Sequence, residues 1–316
     1  MVTPNRKPMI YNYGSINIDY VYRVPHLVRP GETLASIGLS QVLGGKGANQ
    51  SLALARAGGD VAHWGRLGES DRWALAPLGD AGVAIEDIEL TQGASGHALI
   101  QVDDDAENAI ILYPGANHGF DDTRMKTLVG SAQANSWVLM QNECNASESM
   151  LRLAANNGLL IAFNPAPLTT DVMGLPLELC QILFLNRGEA AALVGQPEMA
   201  NVDTLLDALA TRLPEVEIVL TLGGDGVCYQ HRGTRLALTA HSVDAVDTTA
   251  AGDTFIGYFM AARQRGDDVE QSLRLATTAS ALCVQQAGAE PSIPTAEAVG
   301  AAINEWPALA LARLTP

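Results

Sequence analysis

The stretch AVDTTAAGDTF, Ala245 to Phe255, sets two aspartates, Asp247 and Asp253, six positions apart around very small side chains. The FIGYFMAARQRG that follows has an apolar helical pattern stopping at Gly266, so TTAAGD predicts a turn entering a helix. HSVDAVD, just before it, reads as a strand. Amides at a helix N-terminus lack intrahelical partners, and the macrodipole adds positive potential, so such a turn attracts anions. Ala250, Ala251 and Gly252 would present those donors. Asp253, at the same end, would stay ionised and take the proton of an attacking hydroxyl. An anion hole beside a base suits phosphoryl transfer. The spacing fits equally well an Asp253 that only caps its helix, above residues kept small for packing.

A second cluster, GGKGANQS from Gly44 to Ser51, is another Gly-rich turn entering a helix. It is not a Walker A loop, because Ser40 stands at the first Gly position and Gly47 follows the lysine. Gln50 occupies the last position of G-x-G-x-x-G, which removes the main support for dinucleotide binding. Exposed amides, Lys46 and Asn49 remain, and with Asn17 and Asp19 of SINID they make a donor and acceptor set matched to a polyol. The other reading is a tight turn carrying a surface lysine.

These turns must be positioned by something. SWVLMQ, LLIAFNPA, QILFLN, EIVLTLG and GVCYQH read as strands, with helical SESMLRLAANNG, RGEAAALVG and VDTLLDALATRL between the first four. Upstream, MIYNYGSINIDYVYRV opens as a β-rich run interrupted by Gly14 and Asn17, a strand ending in polar groups, ETLASIGLSQVLGG gives one or two short strands, and VAHWGRLG reads as a buried strand. KGANQSLALARAGG turns helical and stops at Gly58–Gly59, and SDRWALAPLGDAG reads as a short helix capped by Ser70. GHALIQVDDDAENAIILYPGAN is a hairpin with an acidic tip. The alternation predicts an α/β fold: one domain over 1–316, a doubly wound, mostly parallel sheet with helices on both faces. The early hairpin segments break that rhythm and predict a small β-lid from about 17–44 and 96–116. Ligands of such sheets bind beyond the carboxyl ends of the strands.

Composition removes several classes. The chain has 316 residues, 47% hydrophobic and 17% charged, which suits a packed globular protein. A formal charge of −16 and the lack of any basic run argue against nucleic acid. Cys144, Cys180, Cys228 and Cys283 lie far apart in apolar surroundings, as buried free thiols do in a reducing compartment. The N-terminal MVTPNRKPMI has no apolar core of a signal peptide and no segment reaches membrane-spanning length, so a cytoplasmic protein with no membrane partner is expected. The six histidines show no zinc spacing, Asp103–Asp104–Asp105 is expected to be a solvated hairpin tip without EF-hand spacing, and Ser15 has no G-x-S-x-G setting.

GGKGANQ near the N-terminus and DTTAAGDTF near the C-terminus together resemble the paired signatures of the ribokinase-like (PfkB-type) carbohydrate kinases, in the family's order and at about its separation. PGETL, NPAP, TLGGDGV and GAEPSIP extend the likeness over nearly the whole chain. The resemblance implies an ATP-dependent kinase acting on the hydroxymethyl oxygen of a pentose, ribose first. A nucleoside, another sugar or a sugar acid are its alternatives, and a non-catalytic sugar-binding regulator is the alternative of another class. It implies Asp253 as base, with Ala250, Ala251 and Gly252 as the anion hole, and Asn17, Asp19, Gly45, Lys46, Asn49 and Glu143 on the sugar hydroxyls. It implies Asn186, Thr221, Gly223, Gly224 and Gly226 at the nucleotide, and Glu189 of NRGE acting through water on magnesium. Around a monovalent cation, K+ in the first instance, it implies Asp247, Thr249, Cys283, Gln286, Gly288 and Ser292. It further implies a homodimer paired through the lid. Where the family places an Asp two residues beyond Gly68 and a Gly three further on, this chain has Ser70 and Trp73. Few aromatics, 5% of residues, and mainly aliphatic lid arms favour a bare sugar over a nucleoside.

Overall fold

Segments such as WVLMQ and ILFLN are apolar at nearly every position, as strands covered on both faces must be. The computed structural model describes residues 8–105 and 107–314. In chain order its strands are β1 (Ile10–Tyr13), β2 (Asn17–Arg23), β3 (Gly38–Gly44), β4 (Val61–Trp64), β5 (Arg66–Gly68), β6 (Glu89–Thr91), β7 (Gly96–Val102) and β8 (Asn108–Tyr113). Then come β9 (Trp137–Gln141), β10 (Leu160–Asn164), β11 (Ile182–Asn186), β12 (Glu217–Thr221), β13 (Val227–His231), β14 (Thr234–Leu238) and β15 (Leu311–Leu314). The helices are α1 (Lys46–Arg56), α2 (Leu75–Asp80), α3 (Asp122–Ser131), α4 (Ser147–Asn156), α5 (Arg187–Leu193), α6 (Val202–Arg212), α7 (Ala251–Arg265), α8 (Val269–Cys283) and α9 (Ala296–Glu305).

Nine strands form one sheet in the order β15-β14-β13-β12-β11-β10-β9-β1-β4. The six from β4 to β12 run parallel, and β13, β14 and β15 add an antiparallel edge. Alternate side chains feed two cores. Ile10 and Phe184 join Leu52, Phe259 and Leu273 on one face, while Tyr13, Leu183 and Leu185 join Phe163, Leu151 and Leu205 on the other. With helices over both faces, the fold is the expected doubly wound α/β. Four strands inside 17–44 and 96–116 make a separate sheet, β3-β2-β7-β8, and β5 pairs with β6.

Helices α1 and α7 are pressed together by small residues. A Cβ on Gly257 of α7 would lie 2.4 Å from the Ala53 Cβ and 2.7 Å from the Leu54 amide nitrogen of α1. The N-terminus of α1 is equally tight, since a Cβ on Gly47 would sit 2.3 Å from the Ser15 amide.

Several expectations need correcting. MIYNYGSINIDYVYRV is two strands in two sheets, because the chain leaves the main sheet at Gly14 and enters the second at Asn17. VAHWGRLG also divides, at Gly65, where a Cβ would lie 2.6 Å from the His63 ring. HSVDAVD forms no strand; its Val246 and Asp247 amides both donate to the Val284 carbonyl (2.7 and 3.1 Å) rather than to a sheet. Ser70 caps nothing: a turn of tighter helix, Glu69–Ala74, follows Gly68 and runs on into α2. Asp103 is buried, not solvated, its Oδ1 accepting from the amides of Asp105 and Glu107 (both 3.0 Å) to close the hairpin tip. The four cysteines are buried and free, as expected.

Candidate active site

The site lies beyond the carboxyl ends of the parallel strands, where β1, β9, β10, β11 and β12 all give out into polar residues. Helix α7 enters from Ala250, which takes a left-handed conformation at φ 60°, a strained position for a residue with a Cβ. Thr254 donates to the Ala250 carbonyl at 2.8 Å and begins the helical ladder. Among the described residues, the Ala251 amide closes a turn on the Thr248 carbonyl (3.2 Å), whereas those of Ala250 and Gly252 have no hydrogen-bond acceptor. Two donors are thus free outright, and the third is held by a long bond.

Asp253, in the same turn, is 9% exposed. It does not cap the helix. Its Oδ2 accepts from Asn49 Nδ2 (3.1 Å) and its Oδ1 from Gln50 Nε2 (2.9 Å), both on α1. Burial pushes the Asp253 carboxyl above the usual range, Lys46 and the two amide donors pull it back, and Glu143 adds a smaller upward push. Each carboxylate oxygen keeps capacity for a further donor. Asn49 Oδ1 is buried without any partner, an acceptor facing no donor among the described residues.

Around Asp253 gather the other polyol candidates. Glu143, two residues past β9, accepts at Oε2 from the Ser15 hydroxyl (2.5 Å) and the Lys46 amide (2.9 Å), and its Oε1 lies 3.9 Å from Lys46 Nζ. Asn17 Oδ1 accepts from Asn117 Nδ2 (2.8 Å), which orients its amide. Asp19 lies against Gly44, where a Cβ would meet its carboxylate at 2.1 Å. Burial, and then Glu143, push Asp19 up to about 6. Gly45 links β3 to α1 at φ 92°, a conformation suited to glycine. Burial disfavours the Lys46 ammonium, but Asp253, Glu143 and Glu189 outweigh it and raise its pKa.

Asn186 and Glu189 form a reciprocal cap on α5: Glu189 N donates to Asn186 Oδ1 (2.8 Å) and Asn186 N to Glu189 Oε2 (2.9 Å). Burial raises Glu189, the Asn186 amide and Lys46 lower it, and Asp253 raises it again. Thr221 is the register partner of Asn186 on the neighbouring strand. Gly223 and Gly224 face open space, while Gly226, at φ 103°, passes so close that a Cβ would lie 2.0 Å from the Leu238 carbonyl.

A third group clasps the loop before α7 to the one after α8. Asp247 Oδ1 accepts from the Thr249 hydroxyl (2.6 Å) and amide (2.9 Å), and Oδ2 from the Gly288 amide (2.8 Å). Burial alone would raise Asp247; these three donors prevail and lower it. Cys283 Sγ reaches the Thr249 carbonyl (3.6 Å) and Ser292 Oγ (3.1 Å). Gln286 enters through its backbone, its amide donating to the Cys283 carbonyl (3.1 Å). At the departure after Gly68, Ser70 and Trp73 are exposed, and Asp71 takes up the contact beside β7, its Oδ2 accepting from the Ser95 hydroxyl (2.6 Å).

The sequence reading missed Asn12, Ser15, Gln50, Asn117, Gln141 and Asn164, all buried or oriented toward the site. For Asn12, Gln141 and Asn164 the signal was a polar residue at or near the end of an otherwise apolar strand: IYNY, WVLMQ, LIAFN.

The chain also resembles known proteins. The family profile described as "pfkB family carbohydrate kinase" matches residues 7–296. A protein named "Ribokinase" from Haemophilus influenzae is 34% identical over 294 residues, spanning 89% of this chain and 94% of that protein. Another "Ribokinase", from Schizosaccharomyces pombe, is 34% identical over 310 residues, 92% and 96% of the two chains. Among solved structures, Arabidopsis thaliana ribokinase complexed with ribose and ATP superimposes with a TM-score of 0.81 at 28% identity, covering 93% of this chain and 98% of the other.

Proposed function

Because the chain belongs to the pfkB family of carbohydrate kinases, we propose that it moves the terminal phosphoryl group of ATP to the hydroxymethyl oxygen of ribose. It is a phosphotransferase with an alcohol group as acceptor. The observation that carries the reading is the pairing, within one turn of α7, of an ionisable Asp253 held by two amides with unpartnered main-chain donors.

In this reading Asn17, Asp19, Gly45, Lys46, Asn49 and Glu143 bond the sugar hydroxyls, and the orphaned Asn49 Oδ1 supports it because a hydroxyl is the donor it lacks. Asp253 takes the proton of the attacking hydroxyl as the new P–O bond forms. The amides of Ala250 and Gly252 meet the charge on the migrating group directly, and that of Ala251 does so by giving up its 3.2 Å bond to Thr248. Asn186, Thr221, Gly223, Gly224 and Gly226 line the nucleotide. Three carboxylates, Glu143, Glu189 and Asp253, act on Lys46, and Asp19 lies beside Glu143, an excess of negative charge that fits substrate arriving with a cation. Glu189 would hold magnesium through water; its Oε1 has no hydrogen-bond partner among the described residues. The metal supplies charge neutralisation at the phosphates. Asp247, Thr249, Cys283, Gln286, Gly288 and Ser292 offer one carboxylate, two hydroxyls and backbone carbonyls beside the Cys283 thiol, and the hard oxygen donors of this set fit potassium.

The four-stranded sheet would act as a lid over the sugar and as the contact with a second copy. Side chains alternate across a sheet, so Asp19 shares its face with its register partners Val42 and Ala98, and with Ile100, while Tyr20, Tyr22 and His97 point to the other. No aromatic ring on the Asp19 face of β2 or β7 awaits a nucleobase, which favours a free sugar. No helix among the described residues is long and apolar enough to cross a membrane, and we place the protein in the cytoplasm. The test is ATP consumption with magnesium against pentoses, hexoses and nucleosides, with and without potassium. Ribose-dependent turnover is expected. A sugar-binding regulator would shift its Tm with ribose and consume no ATP.

A further inference from the structure

We propose that Gln50 is a positioning residue for Asp253: two backbone-anchored chains of buried amides force its Nε2 donor, and not its oxygen, against the base. This rests on the reading of Asp253 as the base. Gln50 is completely buried, and its Nε2 lies 2.9 Å from Asp253 Oδ1. An amide could present either end to that carboxylate, and only the nitrogen end is attractive. What selects the end lies further away.

Asn12, on β1, aims Nδ2 at the Gly47 carbonyl (2.8 Å), which can only accept. Its Oδ1 therefore faces Gln141, which must answer with Nε2 (3.0 Å). The same Gln141 nitrogen reaches Gln50 Oε1 at 2.7 Å, so Gln50 has its oxygen engaged on that side and its nitrogen left for Asp253. A second chain agrees. Asn164 Nδ2 donates to the Phe184 carbonyl (3.1 Å), which turns Asn164 Oδ1 toward Gln50 Nε2 (3.4 Å). Behind Asn12 the order continues, since its Nδ2 also donates to Ser51 Oγ (2.8 Å). Ser51 in turn meets His63 Nδ1 (2.8 Å), whose Nε2 bonds the Gly14 carbonyl (3.1 Å). The directions of all these bonds are mutually consistent. Asn12, Gln50, Ser51, His63 and Gln141 are at most 1% exposed, so water does not offer substitute partners.

Such a chain holds the carboxylate plane of the base while Asn49 holds the other oxygen. The charged groups facing Asp253 are Lys46 on α1, Glu143 after β9 and Glu189 on α5, with the Cys283 thiol on α8. None is altered by changing Gln50.

The experiment uses the full-length enzyme with ribose, ATP and magnesium. Gln50→Met keeps the shape and removes the donor. It should lower kcat at least tenfold, leave the ribose KM within twofold, and move the acid limb of the kcat–pH profile to higher pH. Gln141→Leu, which does not touch Asp253, removes the donor that holds the Gln50 oxygen without adding a charge and frees the Gln50 amide to turn; the same three signs are expected. A folded Gln50→Met, judged by its melting curve, with unchanged kcat and an unmoved acid limb overturns the proposal. If that variant fails to fold, an unmoved limb in Gln141→Leu does so. Asp253→Asn separates the two readings: inactive Asp253→Asn beside normal Gln50→Met sinks the positioning role alone, whereas active Asp253→Asn sinks the base and this inference with it.

Discussion

Asp19 and Asp253 are two carboxylates in one cleft, held by opposite means. Asp253 is bonded by two amide donors, and no hydrogen bond reaches the Asp19 carboxylate among the described residues. Burial, and then Glu143, push Asp19 up to about 6, inside the working range, and with Asp19 in its proposed place on the sugar, protonation would remove an acceptor. The ribose KM is expected to rise as pH falls through about 6, measured at saturating ATP, and Asp19→Asn should abolish that pH dependence while raising KM at neutral pH. The same shift affects stability with a definite sign. A folded-state value of about 6, above the 3.8 of the free side chain, means that folding opposes ionisation, so Asp19 lowers stability above pH 6 and is neutral below about 4. Asp19→Asn should then melt higher than the parent at pH 8 and equal to it near pH 4. For Asp253→Asn, the expected result is an intact melting curve with turnover reduced by about 10²–10⁴-fold, the usual worth of a general base.

At the scale of elements, Asp253 and the amides that hold it sit on different helices, α7 and α1, and their contact depends on Gly257. Gly257→Val would drive a side chain into Ala53 and Leu54 and spread the helices. A loss of about 1–3 kcal/mol by chemical denaturation is expected, with kcat falling more than the ribose KM rises. A melting curve and kcat both equal to the parent's would refute that coupling. The elements themselves were largely legible: β9 to β13, α1 and α7 follow from apolar runs and glycine stops. The failures have local causes. HSVDAVD has strand-like composition but spends its amides on Val284, and VAHWGRLG is divided by a glycine that the His63 ring requires. The two Gly-rich turns singled out Asp253, Lys46 and Asn49 as candidates, but spacing alone left Asp253 as base or as cap equally open, and only the family resemblance chose between them. Gln50, Gln141 and Asn12 stayed hidden because their meaning is a direction of hydrogen bonding, set by residues up to 129 positions away.

For the whole molecule, the second sheet leaves Ile110, Ile111, Leu112 and Tyr113 of the edge strand β8 half exposed or more, an apolar edge that solitary chains rarely leave bare. A dimer is expected by light scattering, and Ile111→Lys should shift it toward monomer; a monomeric parent at all concentrations would remove the lid interface. The cleft also joins distant parts of the chain, with Asn17, Asp19, Lys46 and Asn49 arriving before residue 50, Glu143 midway and Asp253 late. With Asp253 as the proposed base, a fragment ending short of α7 would carry Lys46 and Asn49 without it and is expected to consume no ATP.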